Sequence, residues 1–216
     1  MGKKLLITLL VLLLETTLLI VIAAGDLGNP EKQEILADQN RYRAEVNVTS
    51  LAWSDNLSAQ AQKCADFNSA NFLKQGTTKH CPTPGYGQNI ALATASSHLT
   101  LAQMVDLWGN EKRYFINGEF PSVSSTGSPA AVGHYTQMIW QNSSEVGCGE
   151  ASAGGNNILV CDYSPQGNIN GTIVYAPPRP PTVLIQATNP YSGWSQRNIL
   201  SNTVLNRPVS CYFSLV

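Results

Sequence analysis

The chain has 216 residues, a net charge of −1 and only 12% charged side chains. It contains no run of Lys or Arg, which excludes the electrostatic footprint of a nucleic-acid binder. Its length and 43% hydrophobic content suit one globular domain with a sizeable core.

Lys3 and Lys4 precede the apolar run Leu5 to Leu14, and the small residues Ala23-Ala24-Gly25 follow. This is the order of a secretory signal peptide over residues 1–25, removed near Ala23 to Gly25. Glu15 breaks the apolar run, and a carboxylate at mid-bilayer is costly, so the leader is preferred over its alternative, an uncleaved anchor. An exported chain rich in Asn, Ser, Thr and Gln gives meaning to the Asn-x-Ser/Thr tripeptides at Asn47, Asn56, Asn142 and Asn170, the candidate glycosylation sites. Asn142 follows closely on an aromatic-rich stretch, where a glycan is expected to meet steric obstruction.

The globular part is expected over residues 26–176. Asn29 is the expected cap of a first helix with Pro30 at its first position and Ile35, Leu36, Tyr42 and Val46 on its apolar face. Leu51-Ala52-Trp53 reads as a short extended entry. Asp55 is then the expected cap of a second helix with Leu57, Ala61, Cys64, Ala65 and Phe72 inward. A punctuated loop from Gln75 to Tyr86 holds His80-Cys81-Pro82, and Gln88-Asn89-Ile90-Ala91 follows. Thr100 caps a third helix on which Met104, Trp108 and Phe115 share a face with Glu111. A carboxylate on an apolar face must find donors or a cation, or hold a proton.

The segment Gly133 to Ser144 packs a histidine, glutamines and two large aromatics together. As a helix it places Tyr135, Met138 and Ile139 on one stripe. As a strand it aligns His134, Thr136, Met138 and Trp140, and periodicity over so few residues does not choose. Glu145 to Gly149 reads as a strand, and Gly154-Gly155-Asn156-Asn157 as the turn of a hairpin. Gly171 to Tyr175 is expected to add a final strand. Pro177 to Pro181 forms a stiff linker to a short tail ending at residue 216.

Five cysteines in a secreted chain imply disulfides and one left over, and their spacing shows no zinc pattern. The hairpin brings Cys148 within reach of Cys161, and Cys64 with Cys81 makes the economical second pair. Cys211 is free or intermolecular.

Gly133-His134-Tyr135-Thr136-Gln137-Met138-Ile139-Trp140 resembles a signature of the CAP superfamily: the cysteine-rich secretory proteins, antigen 5 and the pathogenesis-related proteins. Ile158 to Ile169 resembles a second signature of that family. The likeness runs from roughly Glu31 to Tyr175. It implies an α+β fold, a three-layer α-β-α sandwich with a small, mostly antiparallel sheet. It also implies a cleft lined by two histidines and two acids, which fall on His80, Gln88, Glu111 and His134. Gln88 departs from the family's glutamate, and Gln39 departs from a histidine in the element Gln39-Asn40-Arg41-Tyr42-Arg43.

In such a cleft His80, His134 and Glu111 are the expected ligands of an optional divalent cation such as zinc, with no cofactor obligatory. Gln88 leaves that site one acid short, so weaker metal binding is expected. Relatives also bind sterols, fatty acids or other lipids in apolar grooves, sterols being associated with an aromatic loop that here offers Tyr114, Phe115, Ile116 and Phe120. Some relatives tie Cys81 to Cys148 instead. The resulting expectation is a secreted, non-enzymatic binding module, monomeric unless Cys211 links chains. Two alternatives stand beside it. One is a hydrolase using His134 and Glu111 with Ser143, Ser144 or a serine of the 122–128 loop, although no nucleophile elbow is present. The other is a scaffold that binds an extracellular protein.

Overall fold

Residues 28–176 are described in a computed structural model of the protein; the leader, the Pro-rich linker and the tail with Cys211 lie outside them. Helix α1 spans Asn29–Glu45 behind an extended Gly28, with Pro30 in its first turn, so Asn29 opens the helix instead of capping it. It turns inward Ile35 and Tyr42, but also Gln39 and Arg43. Helix α2, Asp55–Gln75, has Ser54 and not Asp55 at its N-cap position, with no side-chain cap bond, and ends at Gly76 in the left-handed conformation that glycine adopts freely. Its inward side is small: Ala61, Cys64 and Ala65 beside Leu57.

Small residues let α2 lie close on a four-stranded sheet of order β1-β3-β4-β2. The strands are β1 Ala52–Trp53, β2 Gly87–Thr94, β3 Glu145–Ala153 and β4 Asn156–Ser164. Only the short β1 runs parallel to its neighbour; the other pairings are antiparallel. Gly154 and Gly155, both at positive φ, close the β3–β4 hairpin as a two-residue turn requires. A side chain at Gly147 or Gly149 would collide with the α2 backbone at Ser58 or Gln62, so these two positions set how closely helix and sheet approach. On the α2 face Ile158 and Val160 pack with Ala61, Cys64 and Ala65. On the other, Leu159, Cys161 and Tyr163 meet a larger core from the remaining helices.

Helix α3, Leu101–Gly109, starts with a reciprocal capping box between Thr100 and Gln103. Beyond Gly109 the chain tightens into a 3-10 turn, Asn110–Tyr114. Glu111 therefore does not continue the α-helical stripe of Met104 and Trp108. Helix α4, Gly133–Met138, settles the ambiguous segment as a single helical stretch. The expected strand at Gly171 to Tyr175 does not form. That segment makes one isolated bridge, Glu119 to Ile173, and pairs its backbone with the loop at Gly118 and Phe120.

Cys64 bonds Cys81 and Cys148 bonds Cys161, the latter directly across the β3–β4 register. The alternative link from Cys81 to Cys148 is thereby replaced. Among the described residues no helix is long and apolar enough to cross a membrane.

Candidate functional site

Glu111 reaches from its 3-10 turn to the start of α4. One oxygen lies 2.7 Å from His134 Nδ1; the other accepts the backbone N–H groups of His134 and Tyr135, each at 3.0 Å. The charge demanded by the sequence is thus met by three donors, two of them otherwise unpaired amides at a helix start. Because an ionised carboxylate only accepts, His134 donates from Nδ1, and no hydrogen bond reaches its Nε2 among the described residues. Trp108 stacks on the ring with centroids 6.2 Å apart and planes at 19°, which fixes the imidazole from its flat side. Asn89 donates to the His134 carbonyl at 3.0 Å and so ties α4 to β2.

His80 sits exposed on the loop after α2, held there by the Cys64–Cys81 bond. Its Nδ1 is 3.2 Å from Gln88 Oε1, which also accepts the Cys81 N–H at 2.9 Å. Gln88 Nε2 donates in turn to Asp162 Oδ1 at 2.8 Å, across the register position that pairs the two residues.

The four residues expected to line one cleft are therefore built as two pairs, and no hydrogen bond joins them among the described residues. Gln88 and Asn89 are consecutive on β2, so their side chains leave on opposite faces of the sheet. The first serves His80 on the α2 side; the second reaches the element that carries His134. Among the described residues no three His, Cys, Asp or Glu side chains are grouped to hold a metal ion. The expected ligands His80, His134 and Glu111 are thus not grouped as a set, and both Glu111 oxygens are engaged by His134 and Tyr135.

The aromatic loop is divided. Phe115 packs on Tyr135 and Tyr175, and Phe120 sits edge-on to Trp140. Tyr114 and Ile116 stay 40% and 55% exposed.

The candidate serines are engaged elsewhere or stand apart from the ring. Ser143 is buried and donates to Pro165 O, Ser144 turns to Ser164 O, Ser124 pairs with Thr126 and Ser125 donates to Tyr114 O. No hydroxyl bonds to His134 among the described residues. The asparagines of all four sequons are exposed, including Asn142, so the expected obstruction there is absent.

Two polar residues that lie within the motifs but were given no site role prove central. Arg43, the last residue of the element that begins at Gln39, is fully buried. Asp162, fully buried, is the only acid in the apolar run Ile158 to Tyr163, and that isolation was its one signal in the sequence.

A family model described as the cysteine-rich secretory protein family, CAP, matches residues 36–163. Pathogenesis-related protein 1C of Nicotiana tabacum is 36% identical over 146 residues, covering 67% of this chain and 80% of that protein. Venom allergen 5 of Polistes dominula is 31% identical over 167 residues, covering 67% and 71%. Among solved structures, BmVAL-1 superposes with a TM-score of 0.55 at 22% identity over 72% of this chain and 86% of that one. NaASP2, solved with Zn2+, gives 0.54 at 22% identity over 69% and 87%. With both signatures in place on a helix-sheet-helix sandwich, and a family model spanning more than half its length, this chain belongs to the CAP family.

Proposed function

We propose that this chain is an exported, non-enzymatic binding module that takes a sterol or similar lipid at the loop 114–120, beside the Glu111–His134 pair. The observation that carries this reading is the division of the loop. Phe115 and Phe120 anchor it in the core, while Tyr114 and Ile116 face outward on a backbone pinned at both ends. Ile116 is more than half exposed and Tyr114, with Arg113 over its ring, is partly so, and an apolar ligand can use both. The loop leaves from the turn that carries Glu111, so a polar pair stands next to apolar surface, which suits a ligand with one polar end.

Export is supported by the leader pattern, by two disulfides, which form and persist in oxidising compartments, and by the secretory family. The absence of a hydroxyl on the His134 ring among the described residues favours binding over acyl transfer. Among the described residues no three His, Cys, Asp or Glu side chains are grouped, and the reading routes nothing through a metal.

A sterol-binding assay on the secreted protein tests this, comparing wild type with Ile116→Ser and Tyr114→Ser. Each substitution is expected to weaken binding about tenfold, the value of burying one large apolar side chain, with little change in thermal stability. Phe120 is a poor probe, since its removal opens the core at Trp140. Wild-type protein that takes up neither sterol nor fatty acid sinks the proposal.

A further inference from the structure

Asp162 lies in the middle of β4, fully buried. Its Oδ1 accepts from Gln88, its Oδ2 has no partner, and no cation pairs with it among the described residues. A buried carboxylate held by one neutral amide is a costly arrangement that stability alone does not explain. It lies within the second signature, but the likeness gave it no role, and neither the Glu111–His134 pair nor the lipid loop uses it.

What it does follows from the bonding rules. An ionised carboxylate accepts and cannot donate, so Gln88 must turn its NH2 toward Asp162 and its Oε1 the other way. The Cys81 N–H, 2.9 Å from Oε1, demands the same orientation. Oε1 then faces His80 Nδ1 at 3.2 Å, where only a donor fits. In the neutral ring the proton sits on Nδ1, and Nε2 carries the lone pair.

We infer that Asp162 is the acid of this half of the site: it locks the Gln88 amide and, through it, presents the exposed His80 with Nε2 as acceptor for a ligand's hydroxyl or ammonium group. Asp162 is a positioning residue, acting through Gln88. The expectation that Gln88 leaves the site one acid short is revised accordingly. The carboxylate stands on β4, at the register position opposite residue 88, instead of on β2. His80 and His134 become equivalent in presentation, each donating from Nδ1 and open at Nε2. This assignment concerns the α2 face and does not depend on the lipid reading.

The test uses the full chain with its disulfides formed and its histidines 15N-labelled. At about pH 8.5, well above the unperturbed imidazole pKa, the wild-type His80 ring is expected to show the Nδ1–H signature in NMR. In Asp162→Asn the Cys81 N–H still holds Gln88 Oε1 but the charged acceptor for its NH2 is gone, so the Nδ1–H signature is expected to persist in part, at a smaller fraction than in wild type. Gln88→Glu sets two carboxylates against each other, so one must take a proton, and Tm is expected to fall by roughly 5 °C or more. Combining Gln88→Glu with Asp162→Asn is expected to recover both Tm and the Nδ1–H signature. In that double variant the carboxylate introduced on β2 accepts from the amide introduced on β4, from the Cys81 N–H and from His80. A wild-type His80 protonated at Nε2 would overturn the inference, as would a double variant no better than Gln88→Glu alone. Loss of sterol binding moves none of these readouts, so the two proposals fail separately.

Discussion

The guanidinium of Arg43 donates to the backbone carbonyls of Thr49, Met138, Trp140 and Ser143, at 2.7 to 2.9 Å. Three of these acceptors lie at or just beyond the end of the short helix that carries His134, so a residue on α1 holds the end of α4 in place. Burial lowers its pKa to about 10, which leaves it charged at neutral pH. Arg43→Met is expected to strand four carbonyls and cost more than about 3 kcal/mol, read as a shift in denaturant midpoint. Arg43→Lys, with one point charge in place of a planar fork, should fall between it and wild type; equal stability of lysine and arginine would contradict the clamp. Asp162 makes the opposite kind of contribution. Burial pushes its carboxyl from 3.8 up to about 6, opposed only by the Gln88 hydrogen bond. A folded pKa above the unfolded one means that the native state holds the extra proton. Stability is therefore greatest below about pH 4 for this group and is lost as pH rises through about 6, by about 3 kcal/mol. Asp162→Asn is expected to remove that slope, so that the stability difference between variant and wild type changes between pH 4 and 6 and is flat on either side. A difference that stays constant across the window would count against a titrating Asp162.

At the scale of elements, what could be read from residues was the chemistry that acts locally. Thr100 and Gln103 cap α3 with a bond each, and the glycine pair at 154–155 closes a hairpin whose register delivers Cys148 to Cys161. The short helix α4 was not readable, because six residues fit period 2 as well as period 3.6; Arg43, from almost a hundred positions away, supports its end. The turn at Gly109 was equally hidden. The stripe of Met104 and Trp108 predicts that Glu111 stays on it, whereas Gly109 lets Tyr42 approach the backbone and the chain tightens there. His80, Glu111 and His134 came from family motifs, and their partners came only from the fold. The Gln88–Asp162 pairing depends on strand register, which no single segment reveals.

For the whole molecule, the sheet separates two cores, and each disulfide belongs to a different side of the fold. Cys148–Cys161 is buried and approached by Gln39. Cys64–Cys81 joins α2 to the His80 loop, and Cys81 is only partly covered in a surface hollow shared with Lys63 and Thr83. A reductant must reach a sulfur before it can attack, so exposure separates the two bonds kinetically. Mild reduction of the native protein, followed by alkylation and mass spectrometry, is expected to label Cys64 and Cys81 first. Cys148 and Cys161 should be labelled only at the rate of global unfolding. The first cut removes the tether that holds His80 against Gln88, and with it about 3 kcal/mol of loop constraint. It leaves untouched the face that holds Glu111, His134 and the exposed Tyr114 and Ile116. Protein reduced only at the first bond should therefore lose the ordered His80 ring in NMR while still taking up sterol. Equal labelling of all four cysteines would mean that the sheet does not insulate one core from the other. Loss of sterol uptake at the first cut would place the ligand on the His80 side.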